Sequence, residues 1–151
     1  MMIQPLENGK PEIARKIAEL QRKSYTVEAR LIGFDKIPPL LELPEDILRC
    51  TESFLGCYRD GRLAGLLSYE REGTSVEICR VAVDPGCFRQ GIGGALLQYL
   101  EDMYPDADRF YVSTALGNIP AINLYKRQGY TRESERKTEE GLTLITLVKN
   151  R

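Results

Sequence analysis

The reactions open to this chain are limited first by a side chain it does not have. It contains no histidine, which removes Ser-His-Asp and Cys-His nucleophile pairs and the common zinc sites together. Acid–base work falls to carboxylates, tyrosine, lysine, cysteine or water. The four cysteines, at 50, 57, 79 and 87, form no C-x-x-C pair. No metal is expected from that spacing, and the thiols read as small core hydrophobes in a reducing compartment. The clearest chemical signal is CFRQGIGGALLQYL, Cys87–Leu100, where Gly91, Gly93 and Gly94 stand at the start of a helical pattern. Glycine inside a helix costs about 1 kcal/mol relative to alanine. Bare backbone at a helix start, with unpaired N–H groups beside Arg89, suits a phosphate or a diphosphate. The same glycines would also serve a turn that packs its helix closely on a sheet.

Two familiar phosphate loops fail here. A P-loop needs Lys and Ser/Thr after its second glycine, where Ile92 and Gly93 stand. A dinucleotide fingerprint counted from Gly91 meets Leu96 in its third glycine position.

The elements that must carry this stretch can be read from the pattern. At 151 residues, 42% apolar, 28% charged and net charge −1, the chain fits one globular domain, 1–151. No strong field for nucleic acid or an anionic membrane is expected. No apolar run reaches the roughly 20 residues of a membrane span, and the first residues show no apolar signal core, so the expected compartment is cytoplasmic. PEIARKIAELQRKSY sets Ile13, Ile17 and Leu20 on one helical face. The three prolines of FDKIPPLLELPEDILRC predict a loop and then a short helix from about Pro44. SFLGCY, LAGLLSYE and VEICRVAV, joined by RDGR and REGTS, read as an antiparallel meander. The glycine-led helix runs to about Met103, then RFYVST is a strand. NIPAINLYKRQ is a helix between Asn118 as N-cap and Gly129, and YTRESER with LTLITLVK closes the chain as a hairpin. This order predicts an α+β domain with a mixed sheet.

Two stretches carry a family resemblance. VAVDPGCFRQGIGGALL resembles the acetyl-CoA-binding signature of the Gcn5-related N-acetyltransferases (GNAT), Gln/Arg-x-x-Gly-x-Gly/Ala after a strand ending in hydrophobic-Asp-Pro. Gly91 and Gly93 match the small positions, and Phe88 stands where the family carries Gln or Arg. NIPAINLYKRQGY resembles the second signature, Asn-x-x-Ala-x-x-x-Tyr-x-x-x-Gly-Phe/Tyr, at Asn118, Ala121, Tyr125, Gly129 and Tyr130. The resemblance spans roughly Leu55 to Val148. It implies a GNAT-type fold, a mostly antiparallel sheet of six to seven strands flanked by about four helices. It also implies acetyl-CoA as cosubstrate and direct transfer of its acetyl group to a primary amine on a small molecule, peptide or protein. The coenzyme would be met by Val81, Ala82 and Val83 of the strand, by Arg89, Gln90, Gly91, Ile92, Gly93 and Gly94 at the helix start, and by Asn118. Dimers are common among relatives, which makes a homodimer through the C-terminal strands an option.

Within that resemblance, roles can be assigned. Tyr125 is the candidate general acid, since a phenol of pKa about 10 stays protonated beside a leaving thiolate of about 8.5. A core tyrosine on an amphipathic helix would give the same pattern. An alkylamine of pKa about 10.4 must lose a proton before it attacks, at a cost of roughly 4.6 kcal/mol at pH 7. Glu77, four residues before Val81, stands where the histone-acetylating branch carries its glutamate, and is the candidate base; a cross-strand partner of an arginine, or a water chain, is the alternative. Arg80 interrupts the apolar alternation of VEICRVAV, as a β-bulge would, or as a single solvated arginine would. The acceptor would lie near KSYTVEARLIGFDKIPPLLELPEDI and YTRESERKTEEG, whose Glu28, Asp35, Glu42, Glu45 and Asp46 form either an acidic rim or plain helix starts. Tyr25 and Glu28, three apart, could line a site together. A catalytically silent acyl-CoA sensor of the same fold is the alternative function.

Overall fold

Residues 1–34 and 37–151 are described by a computed structural model. Among them the chain runs through β1 (Met2–Leu6), α1 (Pro11–Ile32), α2 (Pro38–Leu41), α3 (Pro44–Arg49), β2 (Ser53–Arg59), β3 (Arg62–Glu72) and β4 (Ser75–Val83). A single 3-10 turn at Pro85–Cys87 leads to α4 (Ile92–Met103), β5 (Arg109–Ala115), α5 (Ile119–Arg127), β6 (Thr131–Lys137) and β7 (Thr143–Asn150). The strands form one seven-stranded sheet in the order β1-β2-β3-β4-β5-β7-β6. Every neighbouring pair is antiparallel except β4 with β5. The fold class expected from sequence is therefore the one found. One helix more than the expected four is present: α2 is a single turn inside the proline-rich stretch read as loop. Pro38 and Pro39 can occupy a first helical turn because the amides they lack would be unpaired there anyway.

Helices cover both faces of the sheet. On one face α1 buries Ala14, Ile17, Ala18 and Tyr25 against Leu6, Phe54, Leu66 and Ala82. On the other, α4 sets Ile92, Leu96, Leu97 and Leu100 onto Leu55, Leu67, Tyr69, Val76, Ile78 and Phe110. Each of those fully buried aliphatic side chains contributes about 1.5–3 kcal/mol. α1 continues to Ile32, well past the stretch whose periodicity was clearest, and ends on Gly33 in the left-handed region (φ 68°).

The expected bulge is present in β4. Ser68 pairs with Arg80 while the next residue, Tyr69, pairs with Ile78, which leaves Cys79 as the extra residue. The bulge exchanges the faces of the strand. Before it, Val76 and Ile78 point into the α4 core; after it, Val81 and Val83 pack there, and Ala82 turns to α1.

Arg80, at the exchange, is 7% exposed and is not the solvated arginine that the strand pattern also allowed. Its Nε donates to Glu52 Oε1 at 2.8 Å, and its Nη1 donates to Glu42 Oε1 at 2.5 Å and Gln21 Oε1 at 3.0 Å. These bonds tie α1 and the loop after α2 to the bulge, and they place Glu42 in an ion pair rather than on an open acidic rim.

Candidate active site

The parallel pair β4–β5 closes for only four residues, from Ser75 opposite Arg109 to Ile78 opposite Val112. Beyond the bulge, β4 stays on β3 as far as Val83, and β5 stays on β7 as far as Ala115. The two strands part and the sheet opens between them. Alternate residues of an antiparallel strand offer their backbone groups to opposite sides. The Asp84 amide donates to Ala64 O on the β3 side at 2.8 Å, so Ala82 also faces β3, while Val81 and Val83 face the opening. Val83 N accordingly donates across to Ser24 Oγ of α1 at 3.3 Å. Of the three strand residues expected to meet a coenzyme, Val81 and Val83 therefore lie on an edge that no strand pairs, where Ser24 and Tyr25 of α1 meet their backbone, whereas the Ala82 backbone belongs to the ladder.

At the end of β4, Asp84 Oδ1 accepts from Gly86 N at 2.8 Å and holds the 3-10 turn. Arg89 (φ 64°) and Gly91 (φ 78°) both lie in the left-handed region, with Gln90 between them. Residues alternating in this way point successive N–H groups into one concavity that accepts anions. α4 has no side-chain N-cap; the first amide to find a helical carbonyl is Ala95 N, on Gly91 O at 3.0 Å. Among the described residues, the amides from Arg89 to Gly94 donate to no backbone carbonyl outside the helix. An N-cap omitted at a cost of about 1 kcal/mol leaves donors for a ligand.

The three glycines divide the work. A Cβ on Gly91 would point into open space. On Gly93 it would sit 2.8 Å from Leu124 Cδ2, and on Gly94 2.7 Å from the Gln128 side-chain nitrogen. Gly91 keeps the approach to the amides clear, and Gly93 and Gly94 let α4 and α5 come together. Close packing, one of the two explanations offered by the sequence, accounts for Gly93 and Gly94, against α5 and its C-terminal end rather than the sheet. Ile92 is buried beneath the turn against Gly65 of β3, where a Cβ would be 2.5 Å from its Cγ2. Gln90 accepts a hydrogen bond from Arg59 on β2, which fastens the turn to the sheet.

α5 begins across the opening. Asn118 caps it, its Oδ1 accepting from Ala121 N at 3.3 Å, while its Nδ2 donates to Glu28 Oε1 of α1 at 2.5 Å. Tyr125 is 4% exposed, on the buried face of α5 beside Tyr130 (ring centroids 6.0 Å apart). Burial, and then the Glu28 carboxylate, push its phenol well above the usual range. Tyr25 of α1 is raised in the same way, by burial and then by Glu28 and Tyr125. Among the described residues no hydrogen bond to the Tyr125 hydroxyl is found. α1 and α5 pack on opposite faces of the sheet. A closed sheet would keep them a sheet's thickness apart; Tyr25, Glu28, Asn118 and Tyr125 meet because the sheet is open there.

Glu77 lies elsewhere. It is exposed, in the closed part of the sheet, opposite Glu70 on β3 and Tyr111 on β5. Burial, and then Glu70 and Glu52, raise its carboxyl, and it is not among the groups that act on Tyr125. Of the expected acidic rim, Asp46 caps the Leu43 amide at 2.8 Å and Glu45 lies in the first turn of α3. Asp35 falls outside the described residues. The end of α1 borders an open cavity of about 480 Å³ lined by Thr26, Ala29, Arg30, Gly33, Phe34 and Leu40. Neither the Arg80 network nor the Glu28–Asn118 bond is visible in the sequence, because each joins residues dozens of positions apart.

Residues 14–130 match the model of the acetyltransferase (GNAT) family. The chain is 41% identical over 143 residues to the UPF0157 protein YqkA of Bacillus subtilis, an alignment covering 95% of this chain and 42% of that protein. It thus spans less than half the length of the curated relatives it matches. Among solved structures, the ribosomal-protein-S18-alanine N-acetyltransferase of Escherichia coli superposes with a TM-score of 0.77 at 18% identity, over 99% of this chain and 92% of that one. The PaiA N-acetyltransferase of Thermoplasma acidophilum, in complex with coenzyme A, gives 0.76 at 18% identity over 100% of both chains. With its family model matched over most of its length and its sheet opening beside a cradle of free amides, this chain belongs to the GNAT family of acetyltransferases.

Proposed function

We propose that the chain is an acetyl-CoA-dependent N-acetyltransferase that moves the acetyl group directly to a primary amine. The observation that carries this reading is the gathering of three features at one opening: the edge of β4 at Val81 and Val83, which no strand pairs, the amides of Arg89–Gly94, and Tyr125. The coenzyme complex of PaiA, a protein of the same fold, supports coenzyme A as the ligand. The amides from Arg89 to Gly94, with Arg89 nearby, would hold the diphosphate. The β4 edge would pair with the amide-bearing arm and polarise the thioester carbonyl, since donors preorganised in a water-poor site act strongly on developing charge.

Tyr125 supplies the proton that the departing thiolate needs. Burial and Glu28 hold its phenol above the usual value, so it is fully protonated at neutral pH. Burial raises the thiols of Cys50 and Cys57, and burial with nearby carboxylates pushes that of Cys79 up to about 12, so these cysteines are held away from the reactive thiolate. Direct transfer therefore accounts for the site better than an acyl-enzyme.

The test is thiol release from acetyl-CoA with a panel of primary amines, wild type against Tyr125→Phe. A loss of about 10²-fold or more in kcat, with coenzyme affinity retained, is the expected result. Equal rates would remove Tyr125 from this role. Tight coenzyme binding with no turnover on any amine would replace the proposal by a silent acyl-CoA sensor.

A further inference from the structure

We propose that Glu28 of α1, held by Asn118 of α5, receives the acceptor's ammonium group and takes its proton, so that the site selects primary amines that arrive charged. This inference rests on the acetyltransferase reading above and names its base and its substrate class.

Placement carries the argument. Glu28 is a half-buried carboxylate where the sheet has opened, joined through Asn118 to the cap of the helix that carries Tyr125. Asn118 satisfies Oε1 only; among the described residues no hydrogen bond to Oε2 is found, and no lysine or arginine pairs with Glu28. Three other carboxylates of this region have a visible task. Glu42 and Glu52 hold Arg80, and Asp46 caps α3. A desolvated carboxylate without a cation calls for one. The groups facing it are Tyr25 on its own helix and Tyr125 and Asn118 on α5. All three are neutral at pH 7, so among the described residues nothing that faces the carboxylate neutralises its charge. Burial raises the Glu28 carboxyl and the Asn118 bond partly offsets this, which moves it towards the working pH of a general base.

The protons balance. The ammonium gives one proton to Glu28, and the neutral nitrogen bonds to the acetyl carbon as the C–S bond breaks. The thiolate takes the Tyr125 proton, and the second proton shed by the new amide nitrogen restores the phenol. Glu28 returns its proton to water.

The experiment compares Glu28→Gln, Glu77→Gln and wild type. The probes are an alanine-starting peptide, a peptide with one free lysine side chain, and spermidine, followed by thiol release from pH 5.5 to 10. Coenzyme affinity and melting temperature are measured on each variant. For wild type, kcat/KM should fall on the acid side, stay nearly flat from about pH 7 to the amine's own pKa, and decline beyond it as the charged form disappears. For Glu28→Gln it should drop at pH 7 by about 10²-fold or more for the lysine peptide and spermidine and by about tenfold for the alanine-starting peptide, and rise about tenfold per pH unit up to the amine's own pKa, about 10.4 for the first two and about 8 for the last. Coenzyme affinity should be unchanged. A glutamate that merely braced α1 against α5 would lower the melting temperature and leave the pH profile alone. A Glu28→Gln profile parallel to wild type, or loss of the acid limb in Glu77→Gln instead, overturns the inference while the acetyltransferase reading stands. Absence of turnover by wild type on all three probes overturns both.

Discussion

Replacing Arg80 with methionine tests the claim that a buried ion cluster fixes the strand bulge from which the site opens. Methionine roughly fills the volume and removes the charge, leaving Glu42 and Glu52 without their partner. Breaking a buried pair from one side costs about 3–5 kcal/mol. Here the carboxylates retain some water, with side-chain exposures of 23% for Glu42 and 18% for Glu52, so the lower end applies. The contact of the guanidinium with the Phe54 ring, 5.4 Å from its centroid, adds about 0.5–1 kcal/mol. A loss of about 3–4 kcal/mol corresponds to roughly 6–16 °C in melting temperature for a chain of this size.

The same cluster sets an acid limit. Burial opposes ionisation of Glu52, but its hydrogen bonds from Arg80 and Ser68 prevail and hold the carboxyl below 4.5, its ordinary value. A lowered carboxylate stabilises the fold fully above its unfolded value and loses that contribution as the pH falls through the folded one. Wild-type stability should therefore drop below about pH 4.5, and the drop should be shallower in Arg80→Met. The assay is thermal and urea denaturation at pH 7 and between pH 5 and 3. The triple variant Arg80→Met/Glu42→Gln/Glu52→Gln should recover much of the loss, because no unpaired charge remains. A melting temperature within 2 °C of wild type for Arg80→Met would refute the reasoning.

Three further outcomes are expected. Gly91→Ala should cost about 1–2 kcal/mol, because its φ of 78° disfavours any Cβ; in titration calorimetry its coenzyme affinity should fall by more than that of Gly93→Ala. Gly93→Ala should lower the melting temperature through contact with Leu124, and Leu124→Ala in the same chain should relieve that contact; non-additivity in a double-mutant cycle measures the coupling. Glu101→Leu should destabilise by about 3 kcal/mol in urea titration, because the buried Glu101 accepts from Lys149 Nζ at 2.7 Å and Tyr130 hydroxyl at 3.1 Å.

The fold was legible where residues near in sequence do the work. Turn glycines, period-two alternation and the Asn118 cap are local signals, and the meander, α4, α5 and the last hairpin stand where those signals put them. The glycine stretch announced a helix start that lacks a side-chain cap, and the chain's lack of histidine narrowed the chemistry before any element was placed. Less legible was which glycine serves which purpose, since the neighbours of Gly93 and Gly94 belong to a helix more than 25 residues later.

What tertiary structure alone decided is the company each charged residue keeps. In sequence Glu28, Glu42, Glu45 and Asp46 are one acidic composition; in the fold one faces the opening, one clamps Arg80, and two begin a helix. Arg80 reads as an interruption of an apolar strand, and becomes the centre of a buried cluster once the extra residue Cys79 has turned the strand over. The physical reason is the same in each case. Backbone geometry follows from neighbours a few bonds away, whereas burial and charge pairing depend on which surfaces the sheet brings together and where it parts.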